Sequence, residues 1–270
     1  MEIDNYITSI QNPKIKQLLQ LQIKSQLRRK EELFVVEGQR EVFHCIKSGY
    51  DIKTFFCCEE LFNDTEYTSV IRTQMSRTKC FTVSRKVYEK IAYRSSTEGI
   101  IAEAKSPCYS LSDLKLSDRP LILVLQSVEK PGNLGAMLRS ADASGADAMI
   151  ICDPLTDIYN PNLIRSSIGA VFSVPCITCS TDECLSFLKS HNVQILTAQL
   201  QDSKAYYDSD MTVSTAIVMG TESTGLTSEW RKAADAHIHI PMLGQLDSLN
   251  VSVSAAILLF EAIRQRQRTT

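Results

Sequence analysis

The segment that most constrains the fold of this 270-residue chain lies near its C-terminus, where residues 248–260 contain no charged side chain. Its polar residues are three serines and one asparagine. A surface helix carries a charged face opposite an apolar stripe, so this composition predicts a helix buried on almost all sides. Ser248 is its expected N-cap, with Asp247 adding favourable charge just before it. The loop before this helix is then expected to bring its backbone amide and carbonyl groups close together.

Length and composition indicate a soluble globular chain of one or two domains. Hydrophobic residues make up 44% of the sequence, and no apolar run approaches membrane-spanning length. The acidic N-terminal residues lack the basic and apolar regions of a secretory signal. The nine cysteines, an odd number scattered through apolar segments, favour reduced thiols and a cytoplasmic location.

A composition change at residues 106–113, where Ser, Pro and Asp accumulate, predicts a linker over 107–119 between domains 1–106 and 120–270. Before the linker, the pattern predicts a small α/β module, with helices over 13–30, 38–47 and 84–92 and strands over 52–57, 81–83 and 100–104. After it, short apolar runs separated by helical stretches predict a parallel sheet with crossover helices. These runs are 121–126, 148–152, 193–198, 216–220 and 237–240.

The charge of the chain is unevenly distributed. Residues 1–106 hold 17 Lys and Arg against 14 Asp and Glu, whereas residues 107–270 hold 12 against 17. The densest basic patch includes Lys14, Lys16 and Arg28, opposite apolar positions of the helix predicted over 13–30. Such a face either contacts RNA phosphates or is a solvated helix surface, and the residues alone leave both interpretations open.

Three strand exits carry unusual loops, and ligands of open α/β sheets bind beyond the carboxyl ends of strands. The run N-x-G-x-x-x-R-x-A, starting at Asn133 and containing Arg139, follows the strand at 121–126. The run G-x-E-x-x-G-L starts at Gly220, and I-P-M-x-G-x-x-x-S-L-N-V-S-V starts at Ile240.

The first two of these loops also have an ordinary structural explanation when each is taken alone. Asn133 can cap the helix that follows it, and Arg139 can pair with Asp142 three residues later. A tight turn capped by Glu222 accounts for the glycines of the second loop.

In this order and at these separations, the three runs resemble the motifs of the SpoU (TrmH) family of ribose 2′-O-methyltransferases, over about residues 116–268. Residues 160–170 are similar to the family's segment between the first two motifs. More loosely, residues 9–16, 34–38 and 97–100 resemble the family's appended substrate-binding module. The resemblance implies an α/β fold, in which a trefoil-knotted parallel-sheet methyltransferase domain follows a small α/β RNA-binding domain.

The same resemblance implies S-adenosylmethionine bound in the knot, RNA as the substrate, and a homodimer formed through the knotted domain. At the matching positions, main-chain groups of Gly220, Ile240, Met242 and Leu249 hold the cofactor. Recognition by peptide groups agrees with the scarcity of charged residues in these loops. Neither a membrane nor a metal ion is expected at the site.

Family precedent assigns the base role to Arg139. A guanidinium is effectively always protonated in proteins, so we expect Arg139 to clamp a phosphate and stabilise charge developing on the ribose oxygen. Asn133 is expected to position Arg139 or the ribose, while Glu222 and Asn250 hold the loops in register. Arg165 is a candidate phosphate contact across the dimer.

The alternatives are a tRNA ribose 2′-O-methyltransferase, a catalytically inactive RNA-binding dimer of the same fold, and a dinucleotide-dependent dehydrogenase. The added basic N-terminal domain favours 23S rRNA over tRNA, because the minimal tRNA enzymes lack this module. The dehydrogenase is disfavoured because G-x-G-x-x-G and its ribose-binding acid are absent after the first strand of the second domain.

A zinc-like spacing also occurs in the sequence, at Cys176 and Cys179, with Cys184 and His191 downstream. No second C-x-x-C pair exists, so the favoured interpretation is an edge strand without a metal. Trp230 is expected to pack in the core.

Overall fold

The computed structural model describes residues 5–93, 98–221, 225–245 and 248–268. The chain forms two compact units. The first comprises Met1–Cys108 together with Asp157–Ser173, and the second comprises Tyr109–Thr156 and Val174–Thr270. The sequence-based boundaries treat residues 120–270 as one continuous domain, whereas the contacts of residues 157–173 place them with the first unit.

The first unit contains a mixed five-stranded sheet in the order β1-β4-β3-β5-β2. Its strands are β1 (Tyr6–Ile7), β2 (Leu33–Glu37), β3 (Ile52–Cys57), β4 (Lys79–Val83) and β5 (Ile100–Lys105). β5 runs antiparallel to both of its neighbours, and the other pairs are parallel. Its helices are α1 (Pro13–Ile23), α2 (Ser25–Glu31), α3 (Gln39–Lys47), α4 (Thr68–Met75), α5 (Arg85–Ile91), α7 (Pro161–Ser167) and α8 (Ala170–Ser173).

The single helix predicted over residues 13–30 is in fact two helices, α1 and α2. The break falls at Lys24, whose backbone is extended at φ −98° and ψ 105°. Asn12 caps α1 by accepting a hydrogen bond from the Lys14 amide at 2.9 Å, and Pro13 suits the first helical position.

The second unit contains a seven-stranded sheet in the order β10-β12-β9-β11-β6-β7-β8, with every pair parallel. Its strands are β6 (Leu121–Gln126), β7 (Ala148–Cys152), β8 (Cys176–Cys179), β9 (Gln194–Ala198), β10 (Lys204–Ala205), β11 (Thr215–Met219) and β12 (Ala236–His239). Every residue of β6, β7 and β11 is buried, as expected for central parallel strands. The helices are α6 (Pro131–Ala143), α9 (Thr181–Ser190), α10 (Ser228–Ala233) and α11 (Val251–Arg268).

Two expectations about the C-terminal helix, α11, are wrong. The helix begins at Val251, and Asn250 rather than Ser248 caps it, since the Asn250 Oδ1 accepts from the Ser252 amide at 3.0 Å. α11 packs on α6, β6 and β11, yet Val253 and Phe260 remain 47% and 48% exposed. Burial on almost all sides is therefore not achieved within one copy of the chain. Asp247 lies outside the described residues.

No helix in the part of the chain that the structure describes combines the length and apolar character needed to cross a membrane. Trp230 packs in the core as expected, fully buried, with its indole N–H donating to the Gln126 Oε1 at 2.7 Å.

Candidate active site

A cavity of about 450 Å³ opens where β9, β11 and β12 end, and the start of α11 forms part of its wall. These strands are neighbours in the sheet, so their carboxyl ends meet at one edge. All four predicted cofactor-binding residues line this cavity: Gly220, Ile240, Met242 and Leu249. The second and third motifs therefore meet at one pocket, and its size suits a nucleoside-sized ligand.

Other lining residues had no motif to mark them. The exit of β9, residues 198–201, contributes one wall, and Ser254 and Leu258 of α11 contribute another. The sequence did predict an apolar strand at 193–198, which is β9. That β9 lies between β12 and β11, and so ends at the cavity, becomes known only from the strand order.

The Gly220 position has no room for a side chain. A Cβ there would lie 2.4 Å from the Gly225 carbonyl carbon and 2.7 Å from the Leu226 nitrogen. The Gly225 amide donates to the Thr221 carbonyl at 3.1 Å, and Gly225 has φ +67°. Gly220 is thus required by the close approach of the Gly225 backbone, whereas Gly225 is favoured by its positive φ. Glu222, expected to hold this loop, lies outside the described residues.

A second cavity, of about 160 Å³, adjoins the first. It is lined by Asn133 of the first motif and by Val128, Glu129 and Lys130, which come just before that motif. Gly220, Thr221 and Val251 line both cavities. The first motif therefore faces a space that shares a wall with the larger pocket.

Asn133 does not cap α6 as expected. The helix begins earlier, at Pro131, with Lys130 in the capping position. Instead, the Asn133 Oδ1 accepts a hydrogen bond from the Asn250 Nδ2 at 3.2 Å. This bond links the first motif to the third at the point where α11 begins.

Arg139 lies on the exposed surface of α6. The ion pair with Asp142 that offered an ordinary explanation is not formed, and Arg139 makes no ion pair or side-chain hydrogen bond with any residue that the structure describes. A long cation that is exposed and has no partner among the described residues is available to an external anion such as a phosphate.

The proposed RNA-contacting residues of the first unit fall into two groups. Lys14 and Lys16 are exposed on α1, and Arg165 is exposed on α7. Arg28, in contrast, is only 3% exposed, and its Nε lies 2.6 Å from the Asp157 Oδ2. Its Nη1 also donates to the Leu21 carbonyl at 2.6 Å. We therefore leave Arg28 out of the RNA-contacting surface, because its charge is neutralised in the interior.

The comparisons with known proteins agree with this arrangement. The model of the SpoU rRNA methylase family matches residues 120–260, more than half of the chain. The chain belongs to the SpoU rRNA methylase family. The MRM3-like substrate-binding domain matches residues 12–102. The family resemblance and the N-terminal substrate-binding domain are thereby confirmed.

Relatives of this SpoU protein span most of its length. It is 29% identical over 254 residues to the 23S rRNA (guanosine(2553)-2′-O)-methyltransferase RlmP of Bacillus subtilis, covering 94% of this chain and 97% of RlmP. It is 39% identical over 175 residues to the 23S rRNA (guanosine-2′-O-)-methyltransferase RlmB of Escherichia coli, covering 63% of this chain and 72% of RlmB.

Solved structures share the fold of this SpoU protein. A crystal structure of an RNA 2′-O ribose methyltransferase is 37% identical with a TM-score of 0.84, covering 97% of this chain and 99% of that one. An AdoMet-bound rRNA methyltransferase from Sinorhizobium meliloti is 27% identical with a TM-score of 0.87, covering 96% of this chain and 97% of that one. The α/β fold predicted from the sequence is confirmed.

Proposed function

We propose that this chain is an S-adenosylmethionine-dependent methyltransferase acting on a ribose 2′-hydroxyl of 23S rRNA. The observation that carries the proposal is the convergence of the three motifs at two adjoining cavities, linked by the Asn250–Asn133 hydrogen bond. Family membership and the 23S rRNA enzymes among its relatives support it. Neither the tRNA enzyme nor the inactive dimer gains comparable support.

The larger cavity fits the cofactor by size and by lining. Its volume of about 450 Å³ lies within the range of small-molecule sites, and its walls are mostly apolar, as at Met219, Ile238 and Leu258. Main-chain groups of Gly220, Ile240, Met242 and Leu249 would hold S-adenosylmethionine there. When bound, this cofactor supplies an activated methyl group on a sulfonium.

The residues of the chain must then align and activate the ribose hydroxyl, which is a poor nucleophile at neutral pH. Arg139 would hold the phosphate beside the target ribose and stabilise negative charge developing on the oxygen. Asn133 faces the smaller cavity and would position the ribose, while Asn250 holds Asn133 through its amide. Glu222 is proposed to keep the second loop in register.

Substrate RNA would lie on the exposed basic residues of the first unit. Lys14 and Lys16 on α1, together with Arg165 on α7, are available for phosphate contacts. The match of residues 12–102 to a substrate-binding domain supports this assignment.

A knotted C-terminal region and a homodimer complete the proposal. α11 follows β12 in the chain but packs on the more central β6 and β11, which supports passage of the chain back across the sheet. Val253, Ile257 and Phe260 share one face of α11, and the exposure of Val253 and Phe260 supports coverage of that face by a second copy. Arg165 would reach RNA bound across this dimer.

A cytoplasmic location is consistent with an rRNA substrate, and all nine cysteines are free thiols.

The decisive experiment maps 2′-O-methyl groups in total RNA from cells with and without the protein, and repeats methylation in vitro with S-adenosylmethionine carrying a labelled methyl. A single 23S rRNA ribose should lose its methyl in the deletion strain and regain it in vitro. The proposal would be overturned if label appeared only in tRNA. It would also be overturned if the protein bound the cofactor measurably but transferred no label to any RNA.

A further inference from the structure

Three cysteines with no part in the proposed methyl transfer come together at the edge of the second unit's sheet. Cys152 ends β7 and Cys179 ends β8, and the two are register partners in these parallel strands. Cys184 lies in the first turns of α9, which follows β8 directly. Because parallel strands end at the same edge, the fold brings all three thiols to one place.

The three sulfurs are close enough to share one ion. Their Sγ atoms all lie within 4.8 Å of one another. Three sulfurs around a metal at a bond length of about 2.3 Å would lie about 4 Å apart. The three sulfurs therefore already have nearly the spacing that one shared ion requires.

Burial and accessibility also suit a metal site. Cys152 and Cys184 are fully buried, while Cys179 is partly exposed and gives a path from solvent. Acidic residues adjoin two of the cysteines in the chain, since Asp153 follows Cys152 and Glu183 precedes Cys184. A cation bound by the thiolates would lower this local excess of negative charge.

The zinc-like spacing in the sequence pointed to a different set of ligands. Cys176 and His191 do not join the cluster, whereas Cys152, well upstream in the chain, does. Buried free cysteines commonly act as small apolar side chains, and Cys176 on the same strand is an example. The convergence of three thiols from three elements goes beyond that role.

We propose that Cys152, Cys179 and Cys184 together bind one thiophilic metal ion of the Zn²⁺ class. Each thiol that becomes a ligand releases its proton to solvent, and no electron transfer is involved. Three protein ligands leave one tetrahedral position for water. The ion would join β7, β8 and α9, and would thereby stabilise this edge of the sheet.

The test is a titration of the full chain with Cd²⁺ in a thiol-free reductant. It uses a Cys108→Ser background, because Cys108 is an exposed thiol. Thiolate-to-metal charge-transfer absorption and native mass spectrometry should show one Cd²⁺ per chain, and the melting temperature should rise by a few degrees. Cys179→Ser should weaken Cd²⁺ binding roughly tenfold or more and abolish the thermal shift.

Cys176→Ser is the matched control, since it removes a buried thiol of the same strand that lies outside the cluster. It should bind Cd²⁺ as tightly as the parent. Cd²⁺ should also raise its melting temperature, relative to its own value without metal, by as much as in the parent. The inference is overturned if the parent and Cys179→Ser bind Cd²⁺ equally, or if Cys176→Ser loses as much affinity as Cys179→Ser. Circular dichroism of each variant keeps a folding defect distinct from a lost ligand.

Discussion

The Arg28 guanidinium pairs with the Asp157 carboxylate at 2.6 Å, joining two residues that lie 129 positions apart in the chain. The arginine is buried and also donates to main-chain carbonyls of α1. A charge held in this way contributes to the stability of the first unit and is not free to contact RNA.

Asp157→Asn should therefore lower the free energy of unfolding by about 3 kcal/mol, because it leaves a buried guanidinium without its counter-charge. Combining it with Arg28→Met should recover part of the loss. Urea denaturation of the full chain measures both effects. Arg29→Met, at an exposed neighbouring position, is the control and should cost little. Equal losses for Asp157→Asn and Arg29→Met would show that the ion pair is unimportant.

Arg139→Ala should reduce methyl transfer roughly 100- to 1,000-fold while leaving the dissociation constant for S-adenosylmethionine unchanged. The reason is that Arg139 lies on α6, outside the lining of the larger cavity. Single-turnover methylation and calorimetry separate the two quantities. Asn133→Ala should act in the same direction but more weakly. Retained turnover in Arg139→Ala would remove this residue from the mechanism.

Gly220→Ala should weaken S-adenosylmethionine binding by roughly tenfold to a hundredfold, because the new methyl group would force the Gly225 backbone to move. Gly132→Ala is its matched control, since a Cβ at Gly132 meets no atom within 4 Å. Calorimetric titration of both variants gives the comparison. Similar affinity losses at both positions would argue against a steric requirement at Gly220.

Burial raises the pKa of Glu103, on β5, from its ordinary value of 4.5 to about 7, although a Thr54 hydrogen bond and the Lys14 charge oppose the shift. Between pH 4.5 and 7 the folded chain keeps this proton while the unfolded chain releases it, so stability falls as the pH rises through this window.

Glu103→Gln should reduce this loss of stability with rising pH. It should raise the free energy of unfolding at pH 8 by about 3 kcal/mol at most. Urea denaturation at a series of pH values provides the measurement. Glu60→Gln, at an exposed position, is the control variant. A profile for Glu103→Gln that matches the parent would contradict the raised pKa.

Phe260→Glu should convert the proposed dimer to a monomer, because it places a charge in the apolar face that a second copy would cover. Sedimentation velocity measures the change. Ile23→Glu, at another exposed apolar position, should leave the assembly unchanged. A parent protein that sediments as a monomer would exclude the dimer.

The sequence predicted the strands that are marked by an uninterrupted run of apolar residues. The strands at 121–126 and 148–152 have the predicted bounds in β6 and β7, because each is an uninterrupted apolar run. β2 was missed, although it is equally apolar at its centre, because it directly follows a charged helical segment. The all-parallel sheet was predictable, whereas the position of β9 between β12 and β11 depends on long-range pairing.

The candidate site was predicted where motifs mark it and missed where long-range contacts decide it. The four cofactor positions line one cavity as predicted, although their cofactor role stays a prediction. Asn133 was misplaced as a cap because Pro131 already fits the first turn of α6. Arg28 looked like surface charge because periodicity contains no information about a partner 129 positions away.

The assignment of residues 157–173 to the first unit has a consequence for dissecting this enzyme into fragments. A truncation at the interdomain linker would remove α7 and α8 from the unit they complete, and would strip Arg28 of its counter-ion. The N-terminal fragment should accordingly express poorly unless residues 157–173 are fused to it. Engineers who wish to exchange RNA-binding modules between homologous enzymes must transplant two separate stretches of polypeptide.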